Sequence, residues 1–361
     1  MLRFLRLFGF LLGATVGSQL VEAESAATAS SKPPVFLFAS NGGGSSNVSA
    51  YVVASNGSLI EIKRSPFAAG DLPSGVAASM TLQTAIVANE GENNLTVFRL
   101  RPDGQLTPTA DPVPCGLDPH TVAFHPTKAF VYVVNAVTKD VSAYRVRAPG
   151  QLQTLARSPF SSGSFPRALA VSEDFVFVAN QVSDNLSVYR IGPDGALDQL
   201  PTSPVSAGIG PTAVAVNSRQ SFVYVLNEGS EDISGFAVSS DGQLTKVPGS
   251  PFPAGKDPAA ILIEPKDRYL YVSNNVSSDI FGYRVGQDGG LTALAGFPVA
   301  AGKEPVGLAA SPDGKFLYAA DRFTHNVLGF AIGSDGSLTP LPDSPFPAGT
   351  GPDALAVTGA Q

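Results

Sequence analysis

The chain has 361 residues, and 23 basic side chains against 30 acidic ones give it a net charge of −7. No basic patch emerges from that balance, which argues against a nucleic-acid partner. A single cysteine, Cys115, excludes an internal disulfide, and the length exceeds what one core usually supports, a limit that radial repetition evades.

At the N-terminus, Arg3 and Arg6 precede an apolar run over residues 7–16, and Val21-Glu22-Ala23 puts small residues where a signal peptidase reads. Residues 1–23 are therefore expected to be a signal peptide and residues 24–33 a flexible linker. The apolar run is well short of the ~20 residues a bilayer requires, so no membrane span is expected after cleavage. The expected location is secreted or periplasmic.

From residue 34 onward the chain repeats itself. Phe130-Val131-Tyr132-Val133-Val134-Asn135 returns as Phe175-Val176-Phe177-Val178-Ala179-Asn180, as Phe222-Val223-Tyr224-Val225-Leu226-Asn227 and as Tyr269-Leu270-Tyr271-Val272-Ser273-Asn274. With degenerate copies included, the closing residue is Asn41, Asn89, Asn135, Asn180, Asn227, Asn274 and then Asp321, at intervals of 45 to 48 residues. That period predicts an all-β fold over residues 34–361, a seven-bladed β-propeller of four-stranded blades.

Within the unit that starts at Pro119, Thr121 to Phe124 reads as an inner strand, Phe130 to Val134 as the second, Val141 to Val146 as the third and Leu152 to Arg157 as the outer one. Asn56-Gly57, Asp103-Gly104, Asp194-Gly195, Asp241-Gly242, Asp288-Gly289 and Asp335-Gly336 supply tight hairpin turns. The recurring Ser-Pro-Phe element, as at Ser158-Pro159-Phe160, is expected to blunt the outer edge with proline and to pack its phenylalanine between blades. Neither terminus completes a blade, so the C-terminal inner strand, Ala354 to Val357, should pair with Val35 to Phe38 and latch the ring.

Residues repeated seven times explain a fold, and only departures from the repeat can mark a unique site. The position after each repeated proline reads Ser74, His120, Arg167, Thr212, Ala259, Val306 and Asp353, and it should face one channel mouth. A histidine there suits a general base and an arginine suits an anion. The competing readings are His120 as a loop cap and Arg167 as the partner of Asp118. The closing asparagines are expected to bond their own turn backbones. Glu90, Glu228, Lys256-Asp257, Lys303-Glu304 and Asp321-Arg322 with His325 read first as solvated loop charge, and Cys115 as packing. No metal cluster, serine elbow or phosphate-binding loop is evident, so no cofactor is expected.

Tyr132-Val133-Val134-Asn135, Tyr224-Val225-Leu226-Asn227 and Tyr271-Val272-Ser273-Asn274 resemble the YVTN repeat of that class of propeller. The Asp-Gly-x-Leu turns, such as Asp103-Gly104-Gln105-Leu106, resemble still more the lactonase family of seven-bladed propellers, which includes bacterial 6-phosphogluconolactonase and muconate-cyclising enzymes. The family's Pro-Arg-His element corresponds here to Pro166-Arg167-Ala168, and its Asn-Glu to Asn227-Glu228; Pro119-His120 brings a histidine one blade earlier. The resemblance implies a carboxylic ester hydrolase acting on a lactone, with Arg167 holding the anionic group, Glu228 orienting it and His120 activating water; the polar arc after the repeated prolines adds Ser74, Thr212 and Asp353 as expected ligand-binding residues. The alternative is a non-catalytic scaffold that binds a glycan, a peptide or an envelope protein. In either case the expected partner is a small-molecule lactone or carbohydrate, or an extracytoplasmic protein, and the chain is expected to be monomeric.

Overall fold

Phe130–Asn135 is buried along its whole length because it has a strand on each side and a blade above and below. It pairs antiparallel with Pro119–Phe124 toward the axis and with Asp140–Ala148 toward the rim. The computed structural model describes residues 33–109 and 111–358. In that span the same pattern forms seven antiparallel sheets around a channel, and no helix occurs among the described residues. The expected signal peptide and linker lie outside the described residues, Pro33 apart.

No central core exists. Seven apolar clusters each lie between two neighbouring blades, and alternate residues of one strand serve alternate clusters. Phe130, Tyr132 and Val134 pack toward the following blade, while Val131 and Val133 pack toward the preceding one. Such two-sided burial is why the second strands read as continuous apolar runs. Phe160, Phe252 and Phe346 of the Ser-Pro-Phe elements are buried in these clusters, as their spacing predicted.

The hairpin glycines carry a second constraint beyond backbone conformation. Gly195 has φ +89°, and a side chain there would meet the Phe130 ring at 2.5 Å. Its carbonyl accepts a hydrogen bond of 2.9 Å from the Tyr132 hydroxyl, and Tyr224, Tyr271 and Tyr318 reach Gly289, Gly336 and Gly57 in the same way. Each turn is thereby fastened to the neighbouring blade.

Two expectations are corrected. The outer strand is not continuous: Gln151–Thr154 and Phe160–Ser161 pair separately with Asp140–Ala148, on either side of a cis Ser158-Pro159 bond. Ser158 Oγ accepts from Ala143 N at 2.9 Å, replacing the carbonyl that the break removes. Ser65, Ser203, Ser250 and Ser344 do the same for Ala50, Val188, Gly235 and Gly329. Secondly, the closing asparagines do not bond their own turns. Asn135 Nδ2 donates across the hairpin to Asp140 Oδ1 and Ser142 Oγ, at 2.7 and 2.9 Å, because its side chain is fully buried and points along the third strand. In two other blades the amide oxygen also accepts from the loop leading into the inner strand, Asn180 from Gly163 N and Asn274 from Gly255 N.

The ring closes as the incomplete ends required. Leu37 pairs with Val357, Phe38 with Ala356 and Ala39 with Leu355. Thr358 then locks the end: its amide donates to Phe36 O at 2.8 Å, and its hydroxyl accepts from Phe36 N at 3.1 Å.

Candidate functional site

Every inner strand begins at a proline that pairs with a closing Asn or Asp, and pairing slips immediately after that proline. Between Pro166 and Ala168 the slip leaves Arg167 without a cross-strand partner. Bulges of this kind re-aim a side chain, here into the channel. The residue after each closing Asn or Asp starts the adjacent turn, so two rings of positions share one mouth. Close approach of the inner strands adds to this: a side chain at Gly75 would meet His120 O at 2.0 Å.

The mouth encloses a cavity of about 280 Å³, and Ser74, His120, Arg167, Thr212, Glu228 and Asp353 all line it, with Ala259 and Val306 as its apolar arc. Glu90, Asp257, Asn275 and Arg322 line it too. Sequence pattern alone marks Glu90, Asp257 and Arg322 only as loop charge and does not single out Asn275. The available signal was register: Glu90, Asn275 and Arg322 directly follow closing residues, as Glu228 does.

His120 is 8% exposed, and both its ring nitrogens are engaged. Nδ1 lies 2.7 Å from Glu90 Oε1, and Nε2 lies 2.8 Å from Arg167 Nη1. Arginine only donates, so Nε2 must be the accepting nitrogen and Nδ1 must carry the proton to Glu90. In this arrangement the nitrogen expected to activate water is engaged by Arg167, and His120 links Glu90 to the guanidinium. Asp118, the expected partner of Arg167, instead lies 3.4 Å from His120 Nε2. Thr121 Oγ1 donates to Arg167 O at 3.2 Å and fixes the backbone of the arginine. Among the described residues no protein acceptor is hydrogen-bonded to the remaining guanidinium N–H groups of Arg167.

Two carboxylates flank this arginine in opposite electrostatic states. Burial works against the charge of Glu90, but the hydrogen bond from His120 and the Arg167 charge outweigh it and hold the carboxyl below the ordinary range. Burial and the neighbouring Asp257 push Glu228 up, against a smaller opposing pull from Arg167 and a 2.8 Å hydrogen bond from Gln181 Nε2. Asp257 is itself oriented by Asn275 Nδ2 at 2.8 Å. Asp353 forms an ion pair with Arg322. Ser74 donates its hydroxyl to Pro119 O at 2.9 Å and so ties two blades together, while Thr212 has no side-chain hydrogen bond among the described residues.

Glu90, Asp118 and His120 bring three ligand-type atoms within 4.8 Å of one another, a grouping the sequence did not suggest. They could hold an ion only if Arg167 left Nε2, so the donor set fits internal pairing better than a cation. Cys115 is partly buried, burial pushes its thiol up to about 12, and it packs in an interblade cluster.

A toroid of seven blades with a polar, arginine-centred mouth is an architecture shared by many activities. Residues 118–202 and 188–351 match the family model of Lactonase, 7-bladed beta-propeller, and the chain belongs to that family. Among curated proteins it is similar to the 6-phosphogluconolactonase of Yersinia pestis, 34% identical over 93 residues that span 24% of this chain and 28% of that enzyme. It is also similar to that of Yersinia enterocolitica, 34% identical over 98 residues, 25% of this chain and 29% of the relative. Among solved structures, the periplasmic gluconolactonase of Pseudomonas aeruginosa superposes with a TM-score of 0.76 at 21% identity, covering 90% of this chain and 98% of that one. A Bacteroides uniformis protein provisionally assigned as a 6-phosphogluconolactonase gives a TM-score of 0.79 at 19% identity, covering 90% and 99%. At such identities these structures establish the fold alone.

Proposed function

We propose that this propeller is an exported lactone hydrolase whose reaction centre is Arg167 and Glu228. The observation that carries the reading is Arg167, held through His120 by Glu90 with its other N–H groups open to a cavity that Glu228 also lines, the two carboxyls being driven in opposite directions by their surroundings. Environments that separate two titratable groups in this way mark a division of labour. Glu90 stays ionised and, through His120, orients Arg167. The open N–H groups of Arg167 polarise the lactone carbonyl and stabilise the negative charge that develops on its oxygen. Glu228, with its raised proton affinity, accepts a proton from the attacking water. Collapse of the tetrahedral intermediate breaks the ring C–O bond, and the proton passes to the departing ring oxygen, giving a hydroxy acid. Membership of the lactonase family supports the reaction class. Arg3, Arg6, the apolar run and Val21-Glu22-Ala23 support export.

The test is turnover of a lactone panel by purified protein lacking residues 1–23. Glu228→Gln should lower kcat by ~10²-fold or more, the usual share of a general base. Equal rates for the wild type and this variant would remove Glu228 from the chemistry. Binding without turnover across the panel would leave a ligand-binding propeller instead.

A further inference from the structure

The charges of the mouth point to a substrate class, given the reading of this site as a lactone hydrolase. Glu90, Glu228, Asp257 and Asp353 set four carboxylates against the two guanidiniums of Arg167 and Arg322, a net charge of −2 with His120 neutral. Even with Glu228 protonated the mouth stays negative. Arg322 is paired with Asp353, and the N–H groups that Arg167 leaves open beyond its bond to His120 are the ones the reaction uses on the lactone carbonyl, so neither arginine is left over for a phosphate. No lysine lines the cavity. Lys139, Lys256 and Lys303 lie in loops of the same face, outside the cavity lining, and the Lys303 ammonium sits 4.6 Å from the Phe323 ring.

Between those lysines the surrounding rim is largely apolar. Val137, Val182, Val276 and Phe323 in the turns after the second strands, and Ile209 in a loop entering an inner strand, are exposed large apolar residues. A phosphate would approach over apolar loops and meet acids beneath them. Uncharged polar groups fare better, since Thr212 and the Asp257-Asn275 pair offer donors and acceptors to hydroxyls.

We propose that the mouth takes an uncharged, polyhydroxylated lactone and rejects lactones that carry phosphate, and that Asp353 is a specificity-determining residue because it keeps Arg322 from serving as a phosphate receptor. The same charge favours departure of the product, which is a carboxylate. The discriminating comparison is an aldonolactone against its 6-phosphate, measured both as turnover and as binding of the corresponding lactams, which mimic the ring without being cleaved. Neutral over phosphorylated kcat/KM should be ~10-fold or more, and added salt should improve KM for the phosphate by screening its repulsion over the ~10 Å Debye length while leaving the neutral substrate unchanged. Asp353→Asn, which frees Arg322, should narrow the ratio several-fold. A preference for the phosphorylated lactone, or its weakening by salt, would overturn the proposal. If neither lactone is cleaved but the neutral lactam binds in preference, the hydrolase reading fails and the ligand class stands. If neither lactam binds, both fall.

Discussion

Glu90 and Glu228 occupy the same register, each directly after a closing asparagine, yet their surroundings drive them in opposite directions. The consequences for stability have opposite signs. Glu90 has a depressed native pKa, so it stabilises the fold above the ordinary glutamate value of about 4.3, and that contribution is lost as pH falls through the native value. Glu90→Gln should therefore destabilise by about 1.5 to 3 kcal/mol near neutral pH, the range for a hydrogen bond to a charged group. The difference in melting temperature from wild type should close as the solution is taken below pH 4. A gap that persists in acid would mean that Glu90 acts through packing. Glu228 has a raised native pKa, so its charge opposes folding above that value. Glu228→Gln should leave the melting temperature unchanged or slightly higher while activity falls, as befits a residue retained for chemistry. His120 and Arg167 are legible in the sequence because they interrupt a position otherwise filled by Ser, Thr, Ala, Val and Asp, and both line the cavity. The sequence did not reveal that Arg167 caps His120, since that contact joins neighbouring blades 47 residues apart.

At the scale of the element, the Ser-Pro-Phe repeat shows what periodicity can and cannot convey. Its recurrence correctly announced proline on the edge and phenylalanine between blades. The serine looked incidental because its partner, an amide on the third strand 15 residues earlier, follows from geometry rather than from local pattern. The blade with Phe297-Pro298 in this position has no hydroxyl to offer; there the Phe297 ring packs over Gly282, where a side chain would meet it at 2.5 Å. Ser158→Ala removes the acceptor of the partly buried Ala143 amide and should cost about 1 to 2 kcal/mol in denaturant unfolding. Ser158→Thr, which keeps the hydroxyl, should recover most of that loss. Faster hydrogen exchange at Ala143 in the alanine variant alone would identify the bond responsible, whereas equal loss in both variants would assign the effect to packing at the bend.

For the whole molecule, closure depends on contacts between residues more than 300 positions apart. Elsewhere in the ring the residue at the end of an inner strand caps a continuous turn: Asn217 accepts from Ser221 and Phe222, Ser311 from Lys315 and Phe316. Thr358 performs the same task for Phe36 across the gap where the two ends of the ring meet. A chain with one cysteine has no covalent alternative, and each interblade core relies on both neighbours being in place. Thr358→Val preserves shape and removes the hydroxyl, so it should destabilise by about 1 to 2 kcal/mol through the orphaned Phe36 amide. Ending the chain at Gly351 removes the inner strand altogether, which uncovers Leu37 and Ala39 and opens the ring between the first and last blades. That truncation should lower the melting temperature far more than the point variant and should expose Phe36–Asn41 to amide exchange first. Preferential loss of protection elsewhere, or a melting temperature like that of the full chain, would show that the interblade clusters hold the ring without the latch.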